Sequence, residues 1–309
     1  MTTEALGCPT STSDPVEAGF AADRAAVDAA LAALCDRALG ALPPAVADAI
    51  RYSILGEGKR LRPLLVLAAY RACGGTGDAS ALAAAVEVVH AYSLVHDDLP
   101  CMDDDDVRRG RPTTHRVHGV RVAAVAGVAM VPLAARAAAD AAAALGLPAR
   151  SRGDIVRELM RASGAGGMVG GQLLDLAGEG RALSLAELER VHSAKTGALI
   201  AASVRIGGIA AGADARRARA LEGYGVAVGL AFQIADDVLD ATSTTAQLGK
   251  TAGRDAALGK STYPALLGVE GAVERAGALA REARRALETV GLLTPSLDRL
   301  AHFVVERKS

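Results

Sequence analysis

The chain has 309 residues, a formal net charge of −1, 51% hydrophobic residues, only 3% aromatics and no tryptophan. Near-neutral charge excludes the broad basic footprint of a nucleic-acid binder, and an apolar content dominated by helix-forming Ala and Leu points to an all-α protein. The four cysteines, Cys8, Cys35, Cys73 and Cys101, make no C-x-x-C pair, which argues against a zinc or dithiol motif and for free thiols in a reducing compartment.

Residues 1–20 carry Glu4, Asp14 and Glu17 and no Arg or Lys, so they resemble neither a signal nor a transit peptide and are expected to be a disordered tail. One helical domain is expected over 21–309. Apolar spacing predicts helices at Asp23–Leu39 and Val46–Ile54, then Leu64–Ala72 opened by Pro63, then Ala81–Asp98. Further helices are expected at Val120–Leu145, Arg152–Gly164, Gly167–Leu176, Leu185–Ala211, Arg216–Leu239, Tyr263–Val290 and Leu297–Arg307. The residues 145–154 and 241–260 read as loops by their Gly, Ser and Thr content. No alternating strand pattern, fixed repeat or linker is apparent, so a single large helical bundle is expected. The uncharged run Val122–Ala135 is too short to span a bilayer and suits a buried helix, so a cytoplasmic protein without stable membrane insertion is expected.

Two places crowd with acid. In "LVHDDLPCMDDDDVRRGRPTTH", Leu94 to His115, six of the ten residues from Asp97 to Asp106 are aspartates, and Arg108 and Arg109 follow. In "FQIADDVLD", Asp236 and Asp240 are four apart, on one face of a helix, where like charges repel unless a cation sits between them. Carboxylates are natural ligands of Mg²⁺, which takes one or two of them and fills its remaining positions with water and substrate phosphate. Only five of the 34 basic residues are lysines, and four of these (Lys59, Lys195, Lys250 and Lys260) stand beside glycine or another small residue. A lysine is a compact charge suited to a phosphate oxygen, whereas arginine presents a two-pronged donor. Lys59, Arg60 and Arg62 form one basic knot, and Arg108 and Arg109 another. Acids for Mg²⁺ and bases for phosphate imply a diphosphate ester held at the polar mouth of an apolar helical pocket.

In this order, "GKRLRP" (58–63), "HAYSLVHDDLPCMDDDDVRRGRPTTH" (90–115), "GMVGGQLLDL" (167–176), "KTG" (195–197), "FQIADDVLD" (232–240) and "LGK…LGKSTYP" (248–264) resemble the motifs of the trans-isoprenyl diphosphate synthases. The resemblance implies an isoprenoid-synthase bundle of about a dozen helices with a central apolar pocket, a homodimer, and three Mg²⁺ ions. It implies that Asp97, Asp103 and Asp236 bind metal, with Asp98, Asp237 and Asp240 in support. Arg108, Lys195 and Lys250 would hold an allylic diphosphate, and Lys59, Arg62, His90 and Arg109 isopentenyl diphosphate. Thr196 and Gln233 would line the path of a carbocation, supported by Gln172 and Asp175. His96 is expected to be a structural hydrogen-bonder.

Tyr92 lies five residues before Asp97, about 1.4 turns below it, beside the small Ser93. An aromatic there resembles the farnesyl-forming bacterial type, which implies a fifteen-carbon product; geranylgeranyl and geranyl products are the alternatives. A class I terpene cyclase fits less well, because the second motif is all-Asp and a second basic knot is present. A non-catalytic regulatory partner fits poorly, since both Asp motifs are intact. Two departures from the family pattern stand out, Val128 in "VAGVAM" where the family commonly has Asp, and "GRD" with Arg254 in place of "GKD".

Overall fold

The computed structural model describes residues 15–242 and 259–306. Among them are thirteen α-helices: α1 Pro15–Ala38, α2 Pro44–Ile54, α3 Leu61–Ala72, α4 Ser80–Asp97, α5 Thr114–His118, α6 Val120–Ala144, α7 Ala149–Ser163, α8 Met168–Gly178, α9 Leu185–His192, α10 Ala198–Ala210, α11 Ala215–Thr242, α12 Tyr263–Glu288 and α13 Pro295–Glu306. The all-α expectation holds. The sheet is a two-residue ribbon, β1 Val107–Arg108 against β2 Arg111–Pro112.

Two apolar clusters make the core. One is built from α1, α2, α4, α6 and α7, the other from α11, α12 and α13. Helices α3 and α10 belong to both, and α1 adds Phe20 to the second. Val66, Leu67 and Tyr70 of α3 and Leu199, Ala202 and Ile206 of α10 face the first cluster, while Leu65, Ile200 and Val204 face the second. The two helices approach closely because Gly207 has no side chain; a Cβ there would lie 2.4 Å from the carbonyl oxygen of Val66. Helix α4 is buried almost all round, as its near-continuous apolar sequence requires, and its polar C-terminus is thereby held at the edge of the core.

Several boundaries differ from the sequence reading. The first helix starts at Pro15, inside the expected tail, because Phe20 is buried in the second cluster and fastens that turn. Residues 1–14 lie outside the described residues. Helix α3 begins at Leu61 rather than Leu64, so Pro63 sits within its first turn, where its missing N–H costs nothing. The expected single helix Leu185–Ala211 is interrupted by a π-helical turn at Ser193–Gly197. Helix α12 is broken at Gly268, whose φ of 72° no helix accommodates. The arginine-rich hairpin and the five-residue α5 had no periodic signal to announce them.

Helix α6 is long and apolar enough to cross a membrane by length and composition alone. One face, including Ala123, Ala126, Met130 and Ala134, packs into the first core cluster.

Candidate active site

Helix α4 ends where its sequence turns acidic. Asp97 is its last residue and Asp98 its C-cap, and Pro100 follows. The chain then folds back on the helix end, with the N–H of Asp103 donating to the carbonyl of Asp97 at 2.8 Å and that of Asp104 to Leu99 at 3.1 Å. This return brings Asp103 beside Asp97 although the spacing is not helical. Burial pushes the Asp97 carboxyl up from 3.8 to about 6; Asp103 and Asp98 add to the rise, while Lys195 and Arg108 oppose it.

Arg108 closes the loop from the other side. Its Nε donates to Asp98 Oδ1 at 2.7 Å, and its Nη2 lies 2.6 Å from the same oxygen and 3.3 Å from Asp105 Oδ2. Asp98 is buried, so it serves the guanidinium rather than solvent. The hairpin turn at Arg109 and Gly110 has φ of 53° and 71°, the type I′ geometry that suits strand twist. Tyr52 of α2 anchors this hairpin by donating to the carbonyl of Pro112 at 2.6 Å, with the Arg111 guanidinium 4.4 Å above its ring. Arg109 Nη1 reaches back to the carbonyl of Glu57 at 2.7 Å. Among the described residues, the non-glycine residues at positive φ are Arg60, Asp104 and Arg109, all in loops of this region.

His90 on α4 faces a cationic group. Burial, then Arg62, Arg109, Arg108 and Arg60, hold its imidazole well below the usual histidine range, so it is neutral at pH 7. Its Nδ1 is buried without a hydrogen-bond partner among the described residues. Arg60, by contrast, is a buried residue with its own partners, Asp28 at 2.8 Å and Glu87 at 2.9 Å.

The π-turn carries Lys195 and Thr196. Such turns are rare and cluster at functional sites. Here it lets neighbouring residues serve two helices. Lys195 Nζ donates to Asp175 Oδ2 of α8 at 2.7 Å, and Thr196 Oγ1 donates to Gln233 Oε1 of α11 at 2.8 Å. Glycines allow the close contact: a Cβ on Gly171 would lie 2.1 Å from the Lys195 nitrogen, and one on Gly229 2.8 Å from Gly197 Cα. Gln172, next to Gly171, is buried.

Gln233 Nε2 donates to Asp237 Oδ1 at 3.3 Å, and Asp237 Oδ2 accepts from the Tyr263 N–H at 3.0 Å. Asp237 therefore fastens α11 to the first turn of α12. Asp240 is buried as well, while Asp236 is half-buried. Lys260, for which the sequence reading had no role, lies 3.0 Å from Asp175, 3.6 Å from Asp103 and 3.6 Å from Glu179. Its position beside glycine in "LGKSTYP" was the available signal. Lys195, Asp175 and Lys260 thus run as alternating charges from Asp97 toward Asp103. Lys250 and Arg254 lie outside the described residues.

Tyr92 is buried, with its ring edge-on to His96 at 5.0 Å between centroids. His96 Nε2 pairs with the Ala124 carbonyl of α6 at 3.2 Å, as expected of a structural hydrogen-bonder. Ser93 Oγ donates back to the His90 carbonyl at 2.8 Å. Val128 is 64% exposed on α6.

All-carboxylate oxygen donors suit a hard cation. Among the described residues no group of three or more His, Cys, Asp or Glu forms a metal cage. Mg²⁺ uses few protein ligands, and Asp97, raised by burial and by Asp103 beside it, is a carboxyl whose charged form a cation would favour.

The polyprenyl synthetase family model matches residues 43–291. The chain is 48% identical over 270 residues to farnesyl diphosphate synthase of Escherichia coli (strain K12), covering 85% of this chain and 89% of that one. It is 45% identical over 248 residues to a chloroplastic geranylgeranyl pyrophosphate synthase of Capsicum annuum, covering 80% and 67%. Among solved structures, a Helicobacter pylori geranyltransferase complexed with magnesium and isoprenyl diphosphate superposes with a TM-score of 0.80 at 30% identity, covering 96% of this chain and 98% of that one. The chain belongs to the polyprenyl synthetase family. Within it, the protein is a short-chain trans-isoprenyl diphosphate synthase, a prenyltransferase that uses isopentenyl diphosphate and an allylic diphosphate.

Proposed function

We propose that the enzyme makes farnesyl diphosphate. The observation that carries this reading is Tyr92, buried on α4 below Asp97 and braced edge-on by His96. It would act as a floor for the growing tail, with small Ser93 beside it. Identity of 48% to a bacterial farnesyl diphosphate synthase supports the same reading. Geranylgeranyl diphosphate is the second reading, favoured by 45% identity to chloroplastic geranylgeranyl synthases.

Asp97, Asp103 and Asp236 would hold Mg²⁺, three ions in all, with Asp98, Asp237 and Asp240 fixing their surroundings. When bound, the metal supplies Lewis-acid neutralisation of diphosphate charge. Arg108, Lys195 and Lys250 would draw charge onto the leaving diphosphate, so the allylic C–O bond breaks and its electron pair leaves with that group. Lys59, Arg62, Arg109 and neutral His90 would hold isopentenyl diphosphate so that its double bond attacks the allylic carbon. A proton is then lost to the released diphosphate. Thr196 and Gln233, bonded to each other, would offer oxygen dipoles along the cation path, with Gln172 and Asp175 supporting them.

The enzyme would act in the cytoplasm as a homodimer. Val120, Val125 and Val128, exposed on α6, support that face as the contact between copies. The test is incubation of purified protein with Mg²⁺, isopentenyl diphosphate and dimethylallyl or geranyl diphosphate, with products sized by mass spectrometry. A fifteen-carbon end point supports the proposal; a twenty-carbon end point removes the Tyr92 floor.

A further inference from the structure

Glu87 interrupts the apolar face of α4, and Arg60 sits between Lys59 and Arg62 in the first basic knot. The mechanism above uses neither. Both are nearly dry, at 2% and 6% exposure. Charged residues are almost never buried to this degree unless paired.

Arg60 spends its whole guanidinium on protein. Its Nε donates to Asp28 Oδ1 of α1 at 2.8 Å and its Nη1 to Glu87 Oε1 of α4 at 2.9 Å. Its Nη2 donates to the carbonyls of Gly56 at 2.7 Å and Ile54 at 3.4 Å. A single side chain therefore ties the end of α2, the loop after it, α1 and α4 together. Its backbone is left-handed, φ 52°, at the N-cap of α3. A side chain on Gly58 would meet Arg109 Nη1 at 2.7 Å and Arg60 Nη1 at 3.3 Å, so the two guanidiniums flank that glycine. Two like charges this close need an anion, and Glu87 is the buried carboxylate whose field stabilises the charged form of both.

We infer that Arg60 and Glu87 are a positioning pair for the isopentenyl diphosphate site. They lock the loop that carries Lys59 and the first turn of α3 that carries Arg62 beside Arg109, without touching substrate themselves. The inference rests on the reading that Lys59, Arg62 and Arg109 hold that diphosphate. Arginine is needed for its fork: lysine keeps the charge but cannot satisfy two carboxylates and two carbonyls from one ammonium.

The test measures KM for each substrate separately, with thermal melting as a fold check, on Arg60→Lys, Arg60→Met/Glu87→Leu and Arg62→Ala. Apolar replacement of a buried ion pair is often tolerated by the fold, so the double variant is expected to melt near the native temperature. Its KM for isopentenyl diphosphate should rise at least tenfold, with KM for the allylic substrate and kcat at saturation within about twofold of native. Arg60→Lys should raise the same KM several-fold, and it decides the matter should the double variant not fold. Native KM in Arg60→Lys, or equal rises in both KM values, overturns the inference. Native KM in Arg62→Ala instead overturns the assignment of the diphosphate on which it rests.

Discussion

Replacing Gly171 by alanine tests whether the π-turn must be held where it is. The added Cβ would stand 2.1 Å from the Lys195 nitrogen, 2.4 Å from its Cα and 2.6 Å from the Ala194 carbonyl carbon. These are backbone atoms, so no side-chain rotation relieves the clash. Ordinary contact begins near 3.4 Å, and α8 and the π-turn must therefore separate by more than about 1 Å in a close-packed interior. Overpacking of this kind costs roughly 1–3 kcal/mol, against roughly 0.5–1 kcal/mol returned by the better helix propensity of alanine. Net destabilisation is thus roughly 0–2.5 kcal/mol, centred near 1 kcal/mol, a fall of a few degrees in Tm. The catalytic cost should be larger, because a displacement of about 1 Å in a positioned group can lower rate about a hundredfold. Stopped incubations at saturating substrates give kcat, and scanning calorimetry gives Tm. Gly153→Ala in α7, where nothing lies within 4 Å of the new carbon, is the control; it should gain up to about 1 kcal/mol and keep native activity. A Gly171→Ala enzyme with native kcat and Tm would refute the reasoning.

Lowering pH should weaken Mg²⁺ binding, because Asp97 is held up at about 6 and must lose its proton to meet a cation. Its raised value also means that the metal-free protein loses on the order of 3 kcal/mol as pH rises from about 4 through 6, since the folded state binds that proton more tightly. The rise in Tm on adding MgCl₂ and inorganic diphosphate should then grow from pH 5.5 to 7.5; an equal rise at both sinks the idea. Tyr92→Ala should extend products beyond fifteen carbons, and an unchanged product distribution by mass spectrometry would discard the floor. Val125→Asp places a charge on the exposed face of α6 and should shift the protein toward monomer in light scattering at micromolar concentration. An unchanged mass would move the dimer contact elsewhere.

The main helices were legible because apolar residues recur at helical spacing and because glycine and proline punctuate them. The acidic and basic segments stood out through residue type alone. The π-turn was not legible: one extra residue in a helical turn leaves "SAKTG" with no distinctive composition, and the glycines that leave room for it lie in α8 and α11. Arg60 was indistinguishable from Lys59 and Arg62 in sequence, since what separates it is two distant carboxylates, Asp28 and Glu87. Asp237 resembled its neighbours Asp236 and Asp240 for the same reason; its partner, the Tyr263 N–H, is 26 positions away. Lys260 gained its meaning only when the fold set it beside Asp175 and Asp103.

The left-handed backbone of Arg109 sets two kinds of selection against each other. An L-residue with a β-carbon gives up roughly 1 kcal/mol there relative to glycine. A screen for heat tolerance alone would favour Gly or Asn at that hairpin position. A screen for turnover would retain the arginine. Directed evolution of this enzyme should therefore alternate the two pressures, since a library enriched only for survival at high temperature would tend to erase a cation proposed above to hold isopentenyl diphosphate.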